Sequence, residues 1–127
     1  MATGNIAITA SIQGGADGSW ALPASAGTTF LAPAAIQGET IVALTNGANT
    51  VTVPTGATAA IIVPPNASYP QPNPNWGGTL TLKGVTGDTG VAISNKWLTP
   101  ICWDSTNVPS TFVITSSAIG VLQVRFM

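Results

Sequence analysis

Four carboxylates, Asp17, Glu39, Asp88 and Asp104, and three cations, Lys83, Lys96 and Arg125, are all the charged groups that this sequence offers for chemistry. Two carboxylates about 5 to 9.5 Å apart in a groove would suffice for glycoside hydrolysis. The loops that carry these four are short and offer little groove for a substrate, so the reading is a non-enzymatic protein. The chain has no histidine, which removes every Ser-His-Asp or Cys-His arrangement and every imidazole ligand for a metal. Cys102 is the single cysteine. It allows no intrachain disulfide and no multi-cysteine metal site, and is expected as a small buried apolar group. No cofactor is implied.

Lys83 and Asp88 lie in "LTLKGVTGDTGVAIS", residues 80–94, where scarce charge meets turn-forming glycine. Asp88 and the Thr89 hydroxyl supply too few oxygens for calcium, and no Lys-Ser/Thr follows the glycines as a phosphate loop requires. The expected role of Asp88 is to cap its own turn through its side chain. Lys83 and Asp88 are also expected to pair with each other or with a neighbouring subunit. Arg125 is a third candidate interface charge. Among the aromatic residues, Tyr69 and Trp76 are the candidates for an interface or for stacking on a sugar ring, because such side chains bury large area at little entropic cost. Trp97 and Trp103 flank the apolar run "WLTPICW" and are expected in the core.

The elements that position these residues read as strands. "NIAITASI", "ETIVALTN", "NTVTV", "ATAAIIV", "TLTLKG", "GVAIS", "TFVITS" and "GVLQVRF" are short, alternating or β-branched runs. Glycine, proline and asparagine clusters separate them, and no window keeps a helical period. "ETIVALTNGANTVTV" predicts a hairpin turning at Asn46-Gly47 in a type I′ geometry, with Ile41, Ala43 and Thr45 on one face and Val42 and Leu44 on the other. In "GVLQVRFM", Val121, Gln123, Arg125 and Met127 share one side, and Leu122, Val124 and Phe126 the other. "GSWALPASAGTTFLAPAA" is expected to be irregular, with one short strand near residues 28–31. "VPPNASYPQPNPNWGG" holds five prolines between Val63 and Trp76 and predicts a projecting or surface-draped loop at 64–76. The expected fold is all-β: one antiparallel two-sheet β-sandwich over residues 1–127, with a jelly roll as its candidate topology.

Composition bounds the partners. Charged residues are 6% of the chain and the hydrophobic fraction is 45%, against about 25% charged in a typical soluble domain. A formal net charge of −1 leaves little self-repulsion, where about 2 to 8 net charges favour solubility. The chain therefore reads as a subunit of a larger assembly. Three cations cannot form the basic patch that nucleic acid or anionic lipid requires. "MATGNIAITA" has neither the basic nor the long apolar region of a signal peptide, and no run suffices for a membrane helix. No nucleic-acid or membrane partner is expected.

The succession "TVTVPTGATAAIIVPP", "TLTLKGVTGDTGVAIS" and "STFVITSSAIGVLQVRF" resembles small β-rich structural proteins of tailed bacteriophages, over roughly residues 40–127. "LKGVTGDTGVAIS" is its most specific element. The resemblance implies a virion component assembled in the host cytoplasm: a capsid decoration or cement protein, or a small head-tail or tail-associated subunit. Its partners would be copies of itself, in a homo-oligomer with the trimer favoured, and major capsid or tail proteins. The alternative is a carbohydrate-binding host-attachment module that uses Tyr69 and Trp76 on host glycans. The resemblance assigns no residue a role.

Overall fold

The computed structural model describes residues 5–7, 11–15, 18–21, 29–31, 38–68 and 72–126, and among them there is no helix. The chain divides into two compact units, Met1–Ala35 and Ile36–Met127. In the first, β1 (Asn5–Ala7) pairs antiparallel with β4 (Thr29–Leu31), and β2 (Ser11–Gly15) pairs antiparallel with β3 (Gly18–Ala21) through an irregular register. The short strand expected near residues 28–31 is β4. Strand β3, which contains Trp20, forms where irregular chain was expected and pairs with β2.

The second unit contains β5 (Gly38–Leu44), β6 (Gly47–Thr52), β7 (Ala59–Val63), β8 (Leu80–Lys83), β9 (Val91–Ile93), β10 (Thr99–Cys102), β11 (Thr111–Ser116) and β12 (Gly120–Phe126). They form two four-stranded antiparallel sheets, ordered β10-β7-β12-β5 and β6-β11-β8-β9. Four of the pairings are nested, β5 with β12, β6 with β11, β7 with β10 and β8 with β9, as if one long hairpin had been wrapped around itself. This is the topology of a jelly-roll sandwich.

Alternation places the core between the sheets. Leu122, Val124 and Phe126 of β12 are fully buried and meet Leu44, Ile62, Leu80, Phe112 and Ile114 from both sheets. Each such side chain contributes about 1.5 to 3 kcal/mol by leaving water. Val42 and Leu44 face inward while Ile41 and Ala43 are exposed, as their spacing predicts. Gln123 is buried on the opposite face of β12 from the core residues.

The predicted hairpin at Asn46-Gly47 does not form. Strand β5 pairs with β12 in one sheet and β6 with β11 in the other, so residues 45–46 arch between sheets. A type I′ turn needs positive φ at both central residues, and here only Gly47 has it, at 121°. The arch is held by buried Asn49. Its Oδ1 accepts from Thr45 N (2.8 Å) and Thr45 Oγ1 (3.1 Å), and its Nδ2 donates to the carbonyls of Thr45 (3.1 Å), Gly47 (3.0 Å) and Ile114 (3.1 Å). One side chain thus satisfies backbone groups that a hairpin ladder would otherwise pair.

Of the proline-rich segment 64–76, residues 69–71 lie outside the described residues. Pro64, Pro65, Ser68 and Trp76 are buried, and Asn73 N donates to Pro65 O at 2.9 Å. The second arch, between β11 and β12, rests on this segment: Trp76 Nε1 donates to Ile119 O at 2.7 Å. Cys102, expected in the core, is exposed at the end of β10, because the outward positions of that strand have no sheet above them among the described residues.

Candidate functional site

Where β8 and β10 end and β9 and β11 begin, the sandwich opens into a groove of about 400 Å³. One wall is the β8–β9 hairpin, with Leu82, Lys83, Gly84, Asp88, Gly90 and Val91. The other is formed by Ile101, Trp103, Pro109, Thr111 and Phe112. The stretch "LTLKGVTGDTGVAIS" is therefore both a strand connection and a groove wall.

The hairpin closes through Asp88. Its Oδ2 accepts from Gly84 N (3.1 Å) and Val85 N (3.0 Å), and its own N–H donates to Val85 O (3.1 Å). This is the turn-capping role that its position predicts. Gly90 has φ +75°, and a Cβ there would lie 2.5 Å from Lys83 Cγ and 2.6 Å from Leu82 O, so the tight return into β9 requires glycine.

Trp103 and Phe112 form the aromatic floor, with ring centroids 6.1 Å apart and planes inclined at 41°. Trp103 is fixed by its backbone N–H, which donates to Thr58 O at 2.9 Å. It is half-buried, leaving part of the indole toward the groove. The groove is thus apolar, with one ammonium and one carboxylate at its wall. Such a surface can hold a ring by stacking and orient it by a few polar contacts.

The candidate residues are not gathered into one site. Lys83 and Asp88 both line the groove but form no ion pair with each other. Among the described residues the ion pair is Arg125 Nε to Glu39 Oε2 at 3.3 Å, across the β12–β5 register. Both side chains are about half exposed, so the pair contributes about 0 to 1 kcal/mol. Tyr69 lies outside the described residues. Trp76 is a correction: at 7% exposure its ring belongs to the core and is withdrawn from any stacking platform. Trp97 is the opposite correction, 76% exposed in the β9–β10 connection, where Ser94 Oγ accepts from its N–H at 2.9 Å. The residues that sequence reasoning missed as groove formers are Ile101, Trp103, Pro109 and Phe112. "WLTPICW" signalled the apolarity of Ile101 and Trp103, and "TFVITS" that of Phe112, but only long-range pairing brings them opposite the β8–β9 hairpin.

Asp104, in the loop beside this wall, is held by Thr106. Its Oδ1 accepts from Thr106 Oγ1 (2.7 Å) and Thr106 N (2.8 Å), and those bonds lower its carboxyl pKa below the ordinary 3.8. A lowered folded-state pKa contributes stability above the unfolded value that is lost as pH falls through the folded one. Urea titrations of wild type and Asp104→Asn should therefore differ by a constant amount above about pH 5 and converge below it. A difference that stays constant down to about pH 2.5 would contradict this.

Comparison of the chain with protein families, with curated proteins and with solved structures gives no match in any of the three.

Proposed function

We propose that this protein is a non-enzymatic structural subunit of a tailed-phage virion, a capsid decoration or small tail-associated protein that works as a homo-oligomer seated on other particle proteins. The observation that carries the reading is a jelly-roll unit whose surface combines very few charges with exposed large apolar side chains, Ile41, Val91, Trp97 and Ile119 among them. Jelly rolls are one of the architectures of viral capsid domains. Apolar, weakly charged surfaces associate without the desolvation cost that buried charges carry. The likeness of the strand succession to phage structural proteins agrees with this.

Sedimentation of the full chain at micromolar concentration should show an oligomer, and the protein should co-sediment with purified particles that lack it. A monomer that binds no particle would overturn the reading.

A second reading is favoured by the groove. Lectin domains also use jelly rolls, and about 400 Å³ with an aromatic floor suits a single sugar ring, within the range of about 300 to 1,000 Å³ for small-ligand sites. The stacking residue would then be Trp103, in place of Trp76. Glycan-array binding that disappears in Trp103→Ala with the fold intact would establish it.

A further inference from the structure

The jelly-roll unit has four edge strands, and they are unequal. On one side of the sandwich β9 is 3 residues long, and β10 is 4 residues long and contains Pro100. Short length and proline are the devices by which proteins protect sheet edges from pairing with another chain. On the other side β5 has 7 residues and β6 has 6, with no proline, no lysine and no register shift in either pairing. The one charge there, Glu39, is already paired with Arg125. Within the described residues of the jelly-roll unit no strand pairs along the outer edge of β5 or β6.

We propose that this double edge is the contact between two copies of the chain, with β5 pairing antiparallel with β5 of a second copy about a two-fold axis centred on Ile41. The register follows from two constraints. Inward-facing Thr40, Val42 and Leu44 must stay inward, which requires an even register, and full overlap of Gly38–Leu44 with its copy then places Ile41 opposite Ile41. Ile41 is 57% exposed, so the pairing covers an apolar side chain on the outer face and sets Glu39 opposite Ala43. An axis perpendicular to the β5 sheet also brings β6 toward its copy, because the two edges are stacked through the arch at residues 45–46. The occupant is a second copy because the edge is self-complementary and offers no net charge to select a charged partner. An isologous contact closes as a dimer, the commonest homo-oligomer symmetry, in place of the trimer expected of a virion subunit.

This pairing rests on the subunit reading above and names its contact. The test is cysteine cross-linking of the full chain in a Cys102→Ser background. Ile41→Cys, outward-facing and outside the core, should convert to a disulfide-linked dimer under mild oxidation, since opposed residues in an antiparallel pair have Cβ atoms about 4.5 to 5.5 Å apart. Ala43→Cys should not, since its copy would lie four residues along, about 13 Å away. In the unsubstituted chain, amide exchange in β5 should slow as concentration rises. An oligomer that shows neither the Ile41 cross-link nor concentration-dependent protection of β5 overturns the edge pairing and leaves the subunit reading standing. A specific Ile41 cross-link in a protein that binds no phage particle supports the pairing and overturns the virion assignment.

Discussion

Asn49→Ala should lower the urea midpoint sharply with little change in slope, corresponding to about 3 kcal/mol. The substitution removes five hydrogen bonds at one stroke and leaves Thr45 N, on the turn, and Ile114 O, in the neighbouring strand, without their partner. Each buried polar group so stranded costs about 1 to 3 kcal/mol. Part of that loss falls on Thr45, which is exposed and regains water, so the sum stays well below five full penalties. Asn49→Asp separates hydrogen bonding from packing: it keeps the acceptor toward Thr45 N and Oγ1 and loses the donors to the carbonyls of Thr45, Gly47 and Ile114. It should cost at least as much as alanine at neutral pH, because a buried carboxylate would face carbonyl oxygens. A midpoint within experimental error of wild type for both variants would show that the arch is held by its backbone alone.

That arch also marks where reading the sequence ends. Strands β8, β11 and β12 coincide closely with "TLTLKG", "TFVITS" and "GVLQVRF", because alternation of apolar and polar side chains is written locally. The two faces of β5 and β12 follow for the same reason. Pairing is not local. Asn-Gly between two β-branched runs is a hairpin signal, and the sequence shows nothing of Ile114 O, 65 residues away, which takes Asn49 into a connection between sheets. Strand β10 escapes notice because Pro100 and a length of 4 residues hide it.

The candidate site was legible to the same degree. Asp88 follows from its turn, a matter of neighbours in sequence. The burial of Trp76 and the exposure of Trp97 do not, because each depends on which connection tucks against the sandwich. An aromatic residue beside an apolar run is not thereby in the core. The groove could not be read at all, since its walls, the β8–β9 hairpin and the Trp103–Phe112 pair, meet only through the nested wrapping of eight strands.

Trp76→Ala should be among the most destabilising single changes in the jelly-roll unit, about 3 to 5 kcal/mol as for other buried aromatic truncations, with Trp76→Phe costing about 1 to 2 kcal/mol for the lost bond to Ile119 O and the smaller ring. The indole is fitted between two glycines. A Cβ at Gly78 would stand 2.4 Å from Trp76 Cζ2, and one at Gly120 would stand 2.7 Å from Nε1. These positions therefore need glycine because of the tryptophan, and removing the ring should remove the need. Gly78→Ala should be strongly destabilising in the wild-type chain and nearly neutral in Trp76→Ala, a coupling of more than about 1 kcal/mol in a double-mutant cycle. Additive effects would mean that Gly78 is required by its own backbone, and that the ring does not clamp the β11–β12 arch as its geometry indicates. Because that arch carries Ile119 into β12, the strand that pairs with β5, the same cycle should register in self-association: a loosened arch lets β12 shift and with it the edge on which the second copy would dock.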